Sequence, residues 1–166
     1  MSAAATPRSE GRVFADEPVI EITRLLNAPR ELVWECFTDP KHLAHWWGPD
    51  GFSITTHSHA ARKGGTWDFI MHGPDGTDYD NLIAYTEVSR PERLVYEHRD
   101  PGGDIHFHAV ITLTAEGNKT RVVMRSRFPS LAARDHVVRE FGAVEGGKQT
   151  LDRLGAYIAS QQGQGT

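Results

Sequence analysis

The sequence is almost without cysteine: Cys36 is the only one in 166 residues. A single thiol excludes an intrachain disulfide and any cysteine metal cluster, and Cys36 reads as a small buried hydrophobe. Long apolar runs are missing too, so no segment is suited to crossing a bilayer and no membrane insertion is expected. The N-terminus has no hydrophobic signal core, which makes the cytoplasm the expected location. Basic excess is also lacking. A net charge of −4 gives no electrostatic footprint for nucleic acid. There is no nucleophile elbow, no phosphate-binding glycine loop and no pair of catalytic carboxylates at a recognisable spacing. What is present is an ordinary globular balance, 39% apolar and 24% charged, in a length that fits one domain with a real core.

The chain is organised around Leu131–Ser160. Val137, Phe141, Val144, Leu151, Leu154 and Ile158 recur there at steps of three, four and seven, which keeps one face of an α-helix apolar. Arg134, Asp135, Glu140, Glu145, Lys148, Asp152 and Arg153 occupy the other face. Ser130 is placed to cap the helix. Gly142, Gly146 and Gly147 interrupt the run and predict a bend or a close backbone approach.

Before that helix the chain reads mostly as strands. Met1–Glu17 is small, polar and aperiodic and is expected to be a disordered tail; the domain is expected over residues 18–161, with a flexible end at 162–166. Val19–Leu26 is β-rich. Asn27-Ala28-Pro29-Arg30 opens a helix, with Pro29 at its first position. Asp39-Pro40 ends that helix and begins a short second one through Trp47. Six strand-like runs follow, over 52–61, 66–72, 79–88, 94–99, 105–114 and 120–128, separated by short glycine- and proline-bearing turns. Consecutive strands on short turns predict an antiparallel meander. The expected fold is therefore α+β: a seven-stranded curved antiparallel sheet wrapped around a long C-terminal helix, with two short helices after the first strand.

Period-two alternation divides the strands into faces. Trp67, Phe69 and Met71 share one, as do Ile105, Phe107, Ala109, Ile111 and Leu113, and Val122, Met124, Ser126 and Phe128. These sets should face the long helix. A sheet of this size around one helix encloses a cavity. His57 with His59, and His106 with His108, form same-face pairs that could ligate a metal. No carboxylate or cysteine stands at a spacing to complete such a site, so both pairs read as an outer face and no metal or cofactor is expected.

Several words are specific for one family. Asn27-Ala-Pro-Arg-Glu-Leu-Val-Trp34, Trp46-Trp47-Gly-Pro-Asp-Gly-Phe52, Arg62-Lys-Gly-Gly-Thr-Trp67, Met71-His-Gly-Pro-Asp-Gly76, Pro91-Glu-Arg-Leu-Val-Tyr96 and Gln149-Thr-Leu-Asp-Arg-Leu154 stand in order. From Val19 to Ala159 the chain resembles the START and birch-pollen-allergen superfamily, in the branch named for homologues of the activator of the heat-shock-protein-90 ATPase. The resemblance implies the helix-grip fold. It also sets two differences. The eukaryotic co-chaperones carry a separate N-terminal domain where this chain has a short tail. Many branch members place an aromatic where this chain has Gly147, a loss expected to enlarge the cavity.

The resemblance places His72 and His98 beside the cavity mouth, near Asn81, Tyr85 and Glu87. His72, His98 and Glu87 are the candidate acids or bases, against a simpler role in fixing strands. Trp46, Trp47, Trp67, Phe69, Met71, Tyr85, Tyr96, Phe107 and Phe141 are the candidate walls of a ligand site, against plain core packing. Three functions compete. The leading one is binding of a small hydrophobic or aromatic molecule between helix and sheet. The others are an enzyme on the same scaffold, of the polyketide cyclase, dehydratase or hydrolase type, and a chaperone-associated interaction module. A sheet edge beside the first strand is also open to a second subunit, which makes a homodimer a further expectation.

Overall fold

The computed structural model describes residues 8–163. In chain order the elements are β1 (Glu10–Val13), β2 (Val19–Leu26), α1 (Arg30–Thr38), α2 (Pro40–Trp46), β3 (Ser53–His59), β4 (Thr66–His72), β5 (Asp78–Ser89), β6 (Arg93–Arg99), β7 (Ile105–Glu116), β8 (Lys119–Arg127), α3 (Leu131–Phe141) and α4 (Ala143–Gly163). All strands belong to one antiparallel sheet in the order β1-β2-β8-β7-β6-β5-β4-β3. The helix-grip architecture read from the sequence is present, with both short helices between the first two long strands.

Two features of the architecture differ from the expectation, besides a one-residue shift at Pro29. The sheet has eight strands, because Glu10–Val13 falls within the stretch read as a tail and pairs with β2 from Glu10↔Thr23 to Val13↔Ile20. Residues 1–7 and 164–166 of the two expected tails lie outside the described residues. Composition hid this strand because its own residues are nearly all exposed; it is held by its partner. Beyond it, Arg134 on α3 is buried, and its guanidinium donates to the carbonyl oxygens of Phe14, Glu17 and Val19 at 2.9, 2.9 and 3.1 Å. β1 thus covers the edge of β2 that the sequence left open to a second subunit.

The second difference lies in the long helix, which is two helices. Ser130 caps α3 as expected, its hydroxyl accepting from the Ala133 N–H at 3.0 Å. Gly142 then adopts φ 58° and ψ 42°, a left-handed conformation that ends α3 without strain for a residue lacking Cβ. α4 starts one residue later. The grip on the sheet is made by α4 through the fully buried Leu151, Leu154 and Ile158, and α3 forms a separate cover.

Asp39 ends α1 and caps α2, accepting from the Lys41 N–H at 2.9 Å, with Pro40 at the first helical position. Pro29 stands one position earlier than expected, as the N-cap of α1. Its carbonyl oxygen accepts from Leu32 and Val33 at 3.1 and 3.2 Å. These short helices seat Trp34, Phe37, Leu43 and Trp46 against the closed end of the core.

Candidate functional site

Alternation along β2, β7 and β8 turns Ile20, Ile22, Phe107, Met124, Ser126 and Phe128 toward the helices. Ile22 meets α4 at Gly147, and the side chains around it leave space open towards the α3–α4 corner. A cavity of about 550 Å³ lies between, roofed by Ala133, His136 and Val137 of α3 and by Ala143, Gly147 and Thr150 of α4. Its lining is mainly apolar, and none of the lining residues is Asp, Glu, Lys or Arg. The polar atoms come from Ser126 on the floor, Thr150 on the roof, and two imidazoles, His106 and His136. The Thr150 hydroxyl donates to the Gly146 carbonyl oxygen at 2.8 Å, which leaves its lone pairs free for a ligand.

Gly147 lines this cavity and also lies close to β2. A Cβ placed there would lie 2.7 Å from Ile22 Cγ1. The missing side chain lets α4 approach β2 closely. The chain turns at Gly142 between α3 and α4, the two helices that roof the cavity.

The expected ligand walls fall mostly elsewhere. Trp46, Trp67, Phe69, Tyr85 and Tyr96 are all at most 4% exposed. Trp67 stacks on Phe69 at 3.9 Å and meets Trp47 edge-on at 5.1 Å. Around Trp47, Trp67, Tyr85 and Tyr96 only about 10 Å³ of space is left, too little for a ligand. Trp46 donates its indole N–H to the Cys36 carbonyl oxygen at 3.1 Å. Burial pushes the Cys36 thiol up to about 12, followed by the charges of Glu35 and Asp39, so it is inert. Met71 lies against the core beside Gly48. Phe141 is 70% exposed at the end of α3 and packs edge-on against His136 at 5.8 Å. Of the nine expected wall residues, Phe107 is the one that lines the cavity.

The candidate acids and bases separate in the same way. His72 lies at the far end of β4, its Nδ1 2.7 Å from Asp78 Oδ1 and its Nε2 2.8 Å from Thr55 Oγ1. Glu87 accepts from Ser89 Oγ at 2.9 Å and from Arg93 Nε at 3.2 Å. A bulge at Thr86 turns it off the face that holds Tyr85. Only His98 reaches the neighbourhood of the cavity, stacked on Phe107 at 4.7 Å.

The tautomer of His98 follows from its neighbours. Asn81 donates its amide N–H to the Tyr79 carbonyl oxygen at 2.9 Å, so its Oδ1 faces His98 Nε2 at 2.7 Å. Nε2 therefore carries the proton, and Nδ1 is a buried acceptor without a partner in the structure. Burial, then the nearby His106, lowers its pKa to about 4, so the ring is neutral near pH 7.

Two bulges also separate the histidine pairs. The pairing steps from Thr56↔Phe69 to Ser58↔Asp68, which leaves His57 as the extra residue. His59 then turns inward, with Nε2 3.1 Å from the Tyr85 hydroxyl. In β7 the pairing steps from Arg99↔Ile105 to His98↔Phe107, which leaves His106 as the extra residue. His108 stays opposite Glu97 and Arg127, while His106 turns to the cavity rim. Among the described residues no three of His, Cys, Asp and Glu are grouped to hold a metal. The sequence reading put His106 on the outer face with His108 and did not single out His136, yet both line the cavity. The hairpin at Pro101-Gly102-Gly103 was the available signal, since it brings Asp100 back beside His106.

A model of the family described as Activator of Hsp90 ATPase homolog 1-like protein matches residues 27–159. The chain belongs to this family. Family membership supports a ligand-binding scaffold in general terms. Protein Ms6760 from Mycobacterium smegmatis is 25% identical and superposes with a TM-score of 0.84, over 93% of this chain and 99% of that one. A protein from Arthrobacter aurescens is 25% identical, with a TM-score of 0.82 and 91% of each chain covered. Protein CV1439 from Chromobacterium violaceum is 27% identical, with a TM-score of 0.72 over 83% of this chain and 95% of that one. A comparison with curated proteins found no match. No helix among the described residues is long and apolar enough to cross a membrane.

Proposed function

We propose that this family member binds a small apolar, ring-bearing molecule in the cavity between β2, β8 and β7 and the α3–α4 corner. The observation that carries the reading is the cavity's volume and lining together. About 550 Å³ lies within the range of roughly 300–1,000 Å³ typical of small-molecule sites. Apolar walls with a few polar groups suit a ligand that is mostly hydrocarbon with one or two hydrogen-bonding atoms. The absence of charged residues from the lining argues against a highly charged ligand, whose desolvation would go uncompensated.

Native mass spectrometry of protein purified without detergent tests the reading, together with titration of the apolar dye anilinonaphthalene sulfonate. A 1:1 dye complex, or a co-purified mass released on denaturation, is the expected result. Ala133→Trp projects an indole into the cavity and should weaken dye binding at least about tenfold. Equal dye binding in the two proteins would place the dye elsewhere and count against the cavity as a site.

A further inference from the structure

Asp100 closes the turn between β6 and β7. Its backbone N–H donates to the Asp104 carbonyl oxygen at 3.0 Å, and its carbonyl oxygen accepts from Gly103 at 2.9 Å. Its carboxylate is fixed at both oxygens: Oδ1 accepts from the Asp104 N–H at 3.1 Å, and Oδ2 lies 3.2 Å from His106 Nε2. The amide of Asp104, then the imidazole, holds the Asp100 carboxyl below the usual carboxylate range, so it is an acceptor at neutral pH. An ionised carboxylate can only accept, so His106 Nε2 must carry the proton. In the neutral form of the ring the free lone pair is then on Nδ1. The bulge in β7 sets this ring at the rim of the cavity, away from the outer face where alternation would put it. The neutral ring of His98 stands 5.9 Å behind it.

We propose that Asp100 and His106 form a proton-transfer pair acting on the cavity ligand, with His106 Nδ1 as the general base and Asp100 as its positioning residue. This rests on the cavity reading above and adds a substrate class: an apolar molecule carrying a weakly acidic C–H. In the step, Nδ1 takes the proton from carbon and the C–H electron pair stays on the substrate. The imidazolium is stabilised by Asp100 through Nε2–H. The same proton then returns to another atom of the same molecule, giving an isomer. No oxidant, reductant or second substrate enters the balance. A carboxylate that fixes the tautomer and stabilises the charged ring is the standard way to make an imidazole an effective base.

A generic carbon acid, 5-nitrobenzisoxazole, tests the chemistry. Nδ1 would remove its ring C–H proton, the electron pair would form the nitrile, and the N–O bond would break to release a coloured phenolate. The unsubstituted protein should turn it over faster than free imidazole at equal concentration. His106→Gln should lower the rate at least about tenfold, and Asp100→Asn should lower kcat with KM unchanged. His108→Gln, on the outer face, should leave the rate as it was. Long-range ¹⁵N spectra of the histidine rings should show the Nε2–H tautomer at His106 and its loss in Asp100→Asn. Turnover no faster than free imidazole, or turnover that survives His106→Gln, overturns the proposal. Anilinonaphthalene sulfonate bound equally by the unsubstituted protein and His106→Gln in that case would leave the cavity reading standing; no dye bound by either would sink the cavity reading itself.

Discussion

Under β4, β5 and β6 the concave face carries Trp67, Phe69, Tyr85 and Tyr96, and α1, α2 and the residue after α2 add Phe37, Trp46 and Trp47. Under β2 and β8 it carries Ile20, Ile22, Val122, Met124 and Ser126. The first half is sealed to about 10 Å³ and the second holds about 550 Å³. The same sheet and the same curvature therefore produce a solid core at one end and a cavity at the other. Ring size decides part of this, since interdigitated aromatics reach across the space that aliphatic chains leave open. The helix decides the rest. α4 runs straight onto the sheet at Gly147, and α3 turns away at Gly142.

Removing a ring from the sealed half is the largest available perturbation. Trp67→Ala should cost about 3–5 kcal/mol in urea denaturation, and a cost under about 1 kcal/mol would mean that this half is not close-packed. His98 sits between the halves, and its effect depends on pH. The folded protein holds it neutral down to about 4, while the unfolded chain takes up the proton near the ordinary histidine value. Stability from this group is complete above about pH 6.5 and is lost as pH falls towards 4, by at most about 1.4 kcal/mol per pH unit. His98→Asn should flatten that slope, and an unchanged slope would show that the ring is hydrated. Gly147→Ala should cost about 1–3 kcal/mol, because Ile22 stands where the methyl would go; a neutral result would show that α4 can lift from β2. Ala133→Trp adds a ring to the open half. Its cost in the same denaturation should stay under about 1 kcal/mol, since it enters existing space. A cost comparable with that of Trp67→Ala would close the distinction between the halves.

The fold was legible because its signals are periodic and local. Seven of the eight strands, the cap at Ser130 and the stop at Asp39-Pro40 follow from alternation, turns and capping. β1 was not, since a four-residue edge strand of exposed side chains has no pattern of its own. The site was harder to read for a related reason. Bulges at His57, Thr86 and His106 each add one residue and reverse the alternation beyond them. They removed Glu87 from the face of Tyr85, separated His57 from His59, and carried His106 to the cavity. Alternation also assigns a side chain to the interior without saying whether the interior is filled. The pattern therefore does not separate the packed aromatics from Phe107, the one among the expected walls that lines the space.

The strand order also sets a timetable for the nascent chain. β2 emerges early, yet its long partner on the inner side is β8, with Val19 opposite Arg127. Until about a hundred further residues have been made, that edge of β2 has only the four residues of β1 on its other flank. β3 to β7 can zip as successive hairpins while translation continues. The last helices then complete the grip by landing on the first long strand. The cavity, whose floor includes Ile20 and Ile22 as well as Phe107 and whose roof includes Gly147 and Thr150, therefore cannot close until the last helices have left the ribosome and met the first long strand.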